Sequence, residues 1–297
     1  MKIHQPNLKG FDESVSSLPE RAGACDLIDL ALAEDLRDGD ITSKYFGGNA
    51  AQVRAVVLAR ESLIVAGVKT AAEVFRRVDP SIVLSREAED GWRMVSGAVV
   101  LEVEGPAQSI LAAERTALNF LQRLSGVATL TRAFVDAVEG TRARILDTRK
   151  TTPGFRMLEK AAVVAGGGVN HRFHLGDAIL VKDNHFAALG MDGVRRALET
   201  AKRKEPEVPV ILEADTLEQV RAFLTFPGVH RILLDNMPLH VLRDAVQMSA
   251  GRVPLEASGG VNLQTVRAIA ETGVDFISVG CITHSARAVD LALDFVA

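Results

Sequence analysis

Cationic side chains concentrate in one stretch of the sequence, residues 142–185. This stretch contains eight Lys or Arg residues and four acidic residues, so it carries a net charge of +4 in a chain whose formal net charge is −4. His171, His174 and His185 lie in it as well. A compact basic segment in an acidic protein indicates a small anionic ligand, because a nucleic-acid surface normally spreads its positive charge over a whole face. The sequence therefore predicts no nucleic-acid partner.

Two motifs in this stretch pair an arginine with a second cationic or protonatable group. DTRKTTPGF, at 147–155, contains Arg149 and Lys150: a guanidinium fork suited to a carboxylate or phosphate, beside an ammonium that adds a mobile charge. The later GGGVNHRFHLGD contains His171 and Arg172 behind three glycines, which permit a close approach of the backbone to a ligand or another strand. The competing interpretations are a solvated loop and a flexible surface turn.

A third motif, AILVKDNH at 178–185, places Lys182 one step after an apolar, strand-like run. Three roles are open for this lysine: a Schiff-base nucleophile, an anchor for an anion, or a rim residue whose stem covers apolar surface. Neighbouring cations suit the first two roles equally, because they favour a neutral amine and also attract a substrate with several anionic groups.

Acidic and glycine residues follow the later strand-like runs. Glu213 and Asp235 can bind sugar hydroxyls or hold Mg²⁺ through water, and helix capping is the alternative. No tight metal-ligand spacing is present, so no metal site made of protein ligands alone is predicted. The glycines of EASGGVN (256–262) and SVGCITHS (278–285) match the phosphate site that barrels build after their last strands.

Six apolar runs rich in β-branched residues must position these motifs. They begin at residues 143, 177, 208, 231, 253 and 274, and helical patterns fill the gaps between them. In a βα barrel the carboxyl ends of the strands converge on one face, so the polar residues that follow them should share one pocket. Six strands instead of eight predict either an incomplete barrel or one that borrows strands from elsewhere.

The region before the barrel predicts a separate α+β domain. Strand-like runs begin at residues 52, 81 and 98, with a helical stretch near 68–78. A long helical pattern then covers about 107–138 and is expected to break near Ser125 and Gly126.

That break predicts the domain boundary. Residues 1–126 are expected to form an N-terminal α/β sandwich domain and 127–297 an α/β barrel, with a C-terminal helix at 286–297 packed back onto the first domain. On the long helix, Arg115, Asn119 and Gln122 share one face, which is either a solvated polar stripe or part of an active site.

The composition is that of a soluble globular protein. The chain has 297 residues, 47% of them hydrophobic, but no apolar run approaches the roughly 18 residues of a membrane span. The first 17 residues lack the apolar core of a signal peptide, so a cytoplasmic location without a membrane partner is expected. Two cysteines, Cys25 and Cys281, indicate neither a disulfide framework nor a cysteine-based zinc site.

Several motifs in the same order resemble the quinolinate phosphoribosyltransferase family over nearly the whole chain. Besides the motifs above, the resemblance rests on ALAEDLRDGDITS at 31–43, ERTALNFLQRLSGVAT at 114–129, LLDNM and GVDFISVGCITHS. It implies an N-terminal α/β sandwich followed by an incomplete α/β barrel, in a homodimer where one subunit's first domain covers the other's barrel. The implied reaction converts quinolinate and phosphoribosyl pyrophosphate, with Mg²⁺, to nicotinate mononucleotide, CO₂ and pyrophosphate.

The resemblance also assigns roles to the candidate residues. The quinolinate carboxylates would be held by Thr148, Arg149, His171, Arg172 and Lys182, with Arg115 donated across the dimer interface. The implied catalytic residues are Lys150, which would face the pyrophosphate, and Glu213 and Asp235, which would bind ribose hydroxyls and lie near the Mg²⁺ carried by phosphoribosyl pyrophosphate. The 5′-phosphate would be held by Ser258, Gly259, Gly260, Gly280 and His284.

One residue departs from the family pattern, and three other functions are alternatives to the one that the resemblance implies. Family members often carry a second acid two residues before Glu213, where this chain has Ile211; both should face the same side of a strand. The competing functions are those of a paralogous phosphoribosyltransferase linked to molybdate transport, a Schiff-base aldolase using Lys182, and a non-catalytic phosphosugar-binding regulator.

Overall fold

The computed structural model describes residues 24–46 and 51–296. The strands of its first part are β1 (Gln52–Ala59), β2 (Leu63–Ile64), β3 (Val83–Glu87), β4 (Arg93–Met94), β5 (Val99–Pro106) and, from the end of the chain, β12 (Leu291–Val296). Four of them form an antiparallel sheet in the order β12–β1–β5–β3, and β2 pairs with β4. The accompanying helices are α1 (Ala24–Leu36), α2 (Ile41–Phe46), α3 (Val68–Val78) and α4 (Ala107–Ala137).

The period of two along β1 explains how this sheet builds a core. Ala55, Val57 and Ala59 are buried, and the residues between them are more exposed. Val74 and Phe75 of α3 join the same apolar core. The predicted α+β organisation of this region, including the helix at 68–78, is confirmed.

The last residues of the chain form a strand, and the predicted C-terminal helix at 286–297 is wrong. Strand β12 pairs antiparallel with β1, from Arg54 opposite Val296 to Ala59 opposite Leu291. The pairing satisfies the backbone groups on one edge of β1, and this tertiary contact determines the structure of the segment. The segment does pack onto the first part of the molecule.

Helix α4 passes through Ser125 and Gly126 without the expected break. A Cβ on Gly126 would lie 2.0 Å from the carbonyl oxygen of Arg287, so the glycine permits close packing of the chain's end against the helix. Side chains of α4 up to Leu121 belong to the core of the first part, and those from Leu124 onward belong to the second. The division of the chain at residue 126 stays a prediction.

The second part is a six-stranded parallel sheet covered by helices. Its strands are β6 (Arg144–Leu146), β7 (Ile179–Val181), β8 (Val210–Ala214), β9 (Arg231–Asp235), β10 (Leu255–Ser258) and β11 (Phe276–Ser278). Its helices are α5 (Arg156–Ala165), α6 (Asp183–Lys204), α7 (Leu217–Phe223), α8 (Leu239–Ser249), α9 (Val266–Ala270) and α10 (Cys281–His284). All six predicted strands are confirmed.

The strand order β6–β11–β10–β9–β8–β7 makes this part an incomplete barrel. The first strand pairs with the last, and the described residues show no pairing between β6 and β7. At that open edge Val169 forms a single parallel bridge with Leu146. The segment after the three glycines therefore lies beside β6.

The two faces of the barrel strands have different composition because side chains alternate along a strand. Outward residues such as Leu212, Ile232 and Ile277 pack in the core shared with the helices. The inner face has an apolar patch that includes Ile211 and Leu233. Ile211 is fully buried there, on the side of the strand that carries Glu213, as the sequence predicts.

No helix among the described residues is long and apolar enough to cross a membrane. Residues 1–23, which include the stretch without a signal-peptide core, lie outside the described part of the chain. The cytoplasmic location stays a prediction.

Candidate active site

The carboxyl ends of β7, β8 and β9 bring together three of the predicted site residues. Lys182 Nζ lies 3.1 Å from Glu213 Oε2, with the lysine half exposed and the carboxylate mostly covered. Burial raises the pKa of Glu213, and the nearby charges of Asp235 and Asp183 add to this, while Lys182 opposes it. The lysine ammonium is thus engaged by a carboxylate, which suits an anchor for anions.

Two arginines from the basic motifs, Arg149 and Arg172, lie close enough for their positive charges to interact. Burial, followed by the positive charge of Arg149, lowers the pKa of Arg172, and Asp177 opposes the shift. Neither arginine forms a salt bridge with an acid of the described residues. Arg172 donates from Nη1 to the carbonyl oxygen of Ala178 at 2.9 Å, which leaves the rest of its guanidinium for a ligand. The pair provides positive charge that Asp177 offsets only in part, and an anion with two carboxylates would neutralise the rest.

A buried ion pair holds the two basic motifs against helix α5. Lys160 Nζ and Asp147 Oδ1 form a salt bridge with both side chains fully buried, and Lys160 also donates to the carbonyl oxygen of His171 at 2.8 Å. Burial raises the pKa of Asp147 to about 6 although Lys160 opposes the shift, and burial lowers the pKa of Lys160 although Asp147 opposes it. The charge of Lys160 is therefore already paired inside the protein, which a count of cations in the sequence could not show.

Arg156 of α5 connects the same motifs through their backbones. It donates from Nη1 to the carbonyl oxygen of Phe173 at 3.0 Å and from Nη2 to that of Arg149 at 3.3 Å. Nothing in the sequence distinguishes Arg156 from Arg149 and Arg172, to which the resemblance assigns substrate binding. Two of the eight cations in the basic stretch thus hold the loops in place.

Helix α4 anchors the loops that follow the first and last barrel strands. Arg123 donates from Nη2 to Glu159 Oε1 at 2.7 Å and also reaches the carbonyl oxygens of Thr283 and Ala286. The buried Glu159 accepts the backbone N–H of Thr152 at 3.0 Å. These contacts hold the backbone just after Lys150 and the loop that follows β11.

Lys150 lies against the glycine turn that precedes α10. Its carbonyl oxygen accepts a hydrogen bond from Thr283 Oγ1 at 2.8 Å, and its backbone N–H donates to Thr148 Oγ1 at 3.0 Å. A Cβ on Gly280 would lie 3.3 Å from Lys150 Cδ and 3.2 Å from His284 Nε2. The structure therefore brings together three residues that the resemblance assigns to the pyrophosphate and phosphate groups.

The exits of β9 and β10 approach each other at Gly259. This glycine has φ +97°, and a Cβ on it would lie 2.0 Å from Asn236 Oδ1. Asn236 donates its backbone N–H to the carbonyl oxygen of Ser258 at 2.9 Å and its side-chain amide to Asp235 Oδ2 at 2.8 Å. The glycine thus lets Asp235 and Ser258 lie side by side at the mouth of the barrel, the face where the carboxyl ends of its strands lie.

Gly259→Ala should lower the free energy of unfolding by about 2–3 kcal/mol, because it combines a left-handed backbone with a steric clash. The matched control is Gly260→Ala: Gly260 has φ +60° but open space around its Cβ position, so we expect about 1 kcal/mol. Denaturant unfolding without substrates measures both. Equal losses would show that the contact with Asn236 contributes nothing.

The three glycines at 166–168 serve packing against helices. A Cβ on Gly166 would lie 2.6 Å from the carbonyl oxygen of Ala128 in α4, and one on Gly168 would lie 2.8 Å from Val163 Cγ1 in α5. The sequence predicts a close approach to a ligand or to another strand, and the close contacts observed at these two glycines are instead with helices α4 and α5.

His171 is buried and its ring faces the barrel interior. The backbone N–H of Arg172 donates to Nδ1 at 2.8 Å, and Nε2 lies 3.6 Å from Glu256 Oε1. Glu256 is fully buried and accepts from Arg231 Nη1 at 2.7 Å and from Ser278 Oγ. Burial opposes ionisation of Glu256, but His171 and Arg231 hold its pKa down to about 2. Arg231 and Glu256 lie two residues or more before the ends of their strands. The alternation of side chains along each strand, which places both on the inner face, could have identified them.

Arg115 lies apart from these residues, in a cleft of about 550 Å³ between α1 and α4. The cleft lining includes Leu30, Asn119 and Phe155 but no other predicted site residue. Gln122, predicted on the same face, instead donates to the carbonyl oxygen of Leu291 at 2.9 Å and holds the C-terminal strand.

Comparisons with known proteins agree with this arrangement. The family models "Quinolinate phosphoribosyl transferase, N-terminal domain" and "C-terminal domain" match residues 40–125 and 127–294. The Mycobacterium leprae protein named nicotinate-nucleotide pyrophosphorylase [carboxylating] is 47% identical over 91% of this chain and 96% of its own. A chloroplastic protein of the same name from Arabidopsis thaliana is 43% identical, over 90% of this chain and 81% of its own. The solved nicotinate-nucleotide pyrophosphorylase of Francisella tularensis superposes with a TM-score of 0.86, at 38% identity, covering 92% of this chain and 96% of its own.

Proposed function

The chain belongs to the quinolinate phosphoribosyltransferase family, and we propose that it transfers the phosphoribosyl group of phosphoribosyl pyrophosphate to quinolinate, releasing pyrophosphate and CO₂. The product is nicotinate mononucleotide, a precursor of NAD, and the enzyme is a carboxylating nicotinate-nucleotide pyrophosphorylase. The observations that carry this proposal are the interacting pair Arg149 and Arg172, whose charge Asp177 offsets only in part, and the cluster of Lys182, Glu213 and Asp235 at the ends of β7, β8 and β9.

The charges of the site fit the two substrates. Quinolinate presents adjacent carboxylates, which Arg149, Arg172 and Lys182 would neutralise by charge-assisted hydrogen bonds. Thr148, at the base of the same loop, offers a hydroxyl. Lys150 would face the pyrophosphate, with Gly280 and His284 beside it.

The reaction then needs no nucleophile from the protein. The pyridine nitrogen attacks the anomeric carbon while the bond to pyrophosphate breaks, so the ring becomes cationic. That ring accepts the electron pair left when the 2-carboxylate departs as CO₂, and a proton replaces it. The protein contributes by holding two anions in line and by stabilising developing positive charge at the anomeric carbon with Glu213 and Asp235.

Mg²⁺ is proposed as the cofactor, carried by the oxygens of phosphoribosyl pyrophosphate. The described residues contain no group of three or more His, Cys, Asp or Glu side chains able to hold a metal. Glu213 and Asp235 are two carboxylates at neighbouring strand ends, and Ile211 adds none. This donor set fits a metal whose remaining ligands come from substrate and water. Bound there, Mg²⁺ would neutralise the pyrophosphate charge.

The 5′-phosphate is proposed to bind at Ser258, Gly259, Gly260, Gly280 and His284. The glycine turn at Gly259 presents backbone where a side chain would block an anion. A homodimer is also proposed, in which Arg115 reaches the partner's barrel. Its support is the exposure of Arg115 in a cleft whose lining includes the exposed Leu30.

One assay tests the function. Purified protein supplied with quinolinate, phosphoribosyl pyrophosphate and Mg²⁺ should yield nicotinate mononucleotide and CO₂ in equal amounts, measured by chromatography and gas capture. Replacing quinolinate with nicotinate should yield no nucleotide, because one carboxylate and the decarboxylation are missing. Equal product from nicotinate would defeat the proposal. A borohydride-trapped adduct on Lys182 would instead favour an aldolase.

A further inference from the structure

Arg123 of α4 binds two neighbouring loops with its guanidinium group. Its Nε and Nη2 donate to Glu159 Oε1 at 3.2 and 2.7 Å, and Nη1 and Nη2 also donate to the carbonyl oxygens of Ala286 and Thr283. The side chain is 24% exposed. Each of its three nitrogens thus donates to a protein oxygen. The charge of Arg123 is therefore paired inside the protein, and its donors hold the two loops.

The first of these loops follows β6 and is reached through Glu159. This carboxylate is fully buried, and it accepts the backbone N–H of Thr152 at 3.0 Å and the Thr152 hydroxyl at 2.8 Å. Thr152 lies two residues after Lys150. A buried carboxylate that loses its cationic partner is destabilised, so the hold of Glu159 on this loop depends on its pair with Arg123.

The second loop follows β11 and contains the glycine turn and α10. Arg123 binds two carbonyl oxygens near its end, one of them that of Thr283. The buried Thr283 hydroxyl donates to the carbonyl oxygen of Lys150 at 2.8 Å, which ties the second loop to the first. Lys150 Cδ and His284 Nε2 lie 3.3 and 3.2 Å from the position of a Cβ on Gly280. Both side chains therefore flank one turn, at a spacing that the two loops determine.

The residues that the two loops carry are proposed to bind the phosphate groups of phosphoribosyl pyrophosphate: Lys150, Gly280 and His284. The backbone of Arg149, which is proposed to bind quinolinate, has an anchor of its own. Arg156 Nη2 donates to the carbonyl oxygen of Arg149 at 3.3 Å. A substitution at Arg123 leaves that contact in place, so its effect should differ between the two substrates.

We propose that Arg123 is a positioning residue for phosphoribosyl pyrophosphate, which holds Lys150 and the turn at Gly280 at one spacing. The inference rests on the proposed function and adds to it a residue that acts through Glu159 and through backbone carbonyl groups. Groups that are already in place need no ordering when an anion binds. A looser spacing should therefore weaken the binding of phosphoribosyl pyrophosphate and leave that of quinolinate.

Arg123→Gln should raise the KM for phosphoribosyl pyrophosphate about tenfold or more and the KM for quinolinate less than about threefold, because the shorter amide cannot bridge both loops. The matched control is Gln122→Leu. Gln122 is the preceding residue of α4, and it donates to the carbonyl oxygen of Leu291 in β12, so neither KM should change. Arg123→Lys keeps a cation beside Glu159 but loses the planar fork, and we expect a rise of about three- to tenfold in the KM for phosphoribosyl pyrophosphate alone.

A merely structural role would not discriminate between the substrates. Equal rises in both KM values would overturn the inference, and so would a rise for phosphoribosyl pyrophosphate in Gln122→Leu as large as that in Arg123→Gln. If Arg123→Gln does not fold, Arg123→Lys decides, and an unchanged KM for phosphoribosyl pyrophosphate then overturns the inference. Calorimetric titration with phosphoribosyl pyrophosphate and Mg²⁺ should show the same change in Kd without turnover. Wild-type protein that binds this substrate more tightly than Arg123→Lys, yet makes no nucleotide from quinolinate, would contradict the proposed function alone.

Discussion

Arg172→Ala should lower kcat/KM for quinolinate by about 10²–10⁴-fold, the largest effect expected of any substitution at the mouth. The guanidinium is half-buried and within reach of the charge of Arg149, so its loss would remove a charge-assisted contact to the substrate that water replaces poorly. The KM for phosphoribosyl pyrophosphate should change by less than about threefold, because other residues are proposed to bind that substrate. Steady-state kinetics with each substrate varied in turn measures the split.

The control for this prediction is Arg172→Lys, which keeps the charge but loses the planar fork. We expect it to recover part of the lost quinolinate affinity. Lys182→Ala should act in the same direction as Arg172→Ala, and its effect should be smaller because Lys182 is half exposed. A larger rise in KM for phosphoribosyl pyrophosphate than for quinolinate would contradict the roles proposed for both residues.

Lys160→Met should lower the free energy of unfolding by about 3–5 kcal/mol, because it leaves a buried carboxylate without its counter-charge. Asp147 and the carbonyl oxygen of His171 would both lose a partner. The loss of unfolding free energy in Lys160→Met should depend on pH. Asp147 already has a folded-state pKa raised to about 6, and removing Lys160 raises it further. A raised acid pKa means that the folded state binds more protons, so the stability deficit should grow from pH 5 to pH 8.

Denaturant unfolding at the two pH values checks the effect of Lys160→Met, and the double variant Asp147→Asn, Lys160→Met is the matched control. With no charge left to bury, the double variant should regain part of the stability and lose most of the added pH dependence. An unchanged deficit at pH 5 and pH 8 would show that Asp147 is not the group responsible.

The sequence predicts the fold where a continuous apolar run identifies a buried strand, because such a run needs no alternation between polar and apolar residues. All six barrel strands follow from such runs, and helix α3 follows from the helical pattern near 68–78. The errors occur where tertiary contacts override local preference. Gly126 predicts a helix break, but the helix continues and the glycine instead permits the close contact with Arg287. The residues predicted as a C-terminal helix form a strand because they pair with the edge of β1.

The sequence predicts the positive charge of the site but not which cations are available to a ligand and which hold the loops in place. The basic stretch identifies a pocket for an anion, and the motifs place Arg149, Arg172 and Lys182 near one another. Sequence cannot show which cations are already neutralised, so Lys160 could not be separated from them. Glu256 was also missed, because the strands were identified by their apolar residues alone. Its role depends on its buried position on the inner face of the barrel.

The pairing of β12 with β1 joins residues separated by more than 200 positions in the sequence. During synthesis on the ribosome, β1 emerges long before β12, so the antiparallel sheet keeps an unfilled edge until β12 has left the exit tunnel. All six barrel strands emerge in that interval. The sheet of the first part therefore cannot be completed until the whole barrel sequence has been synthesised.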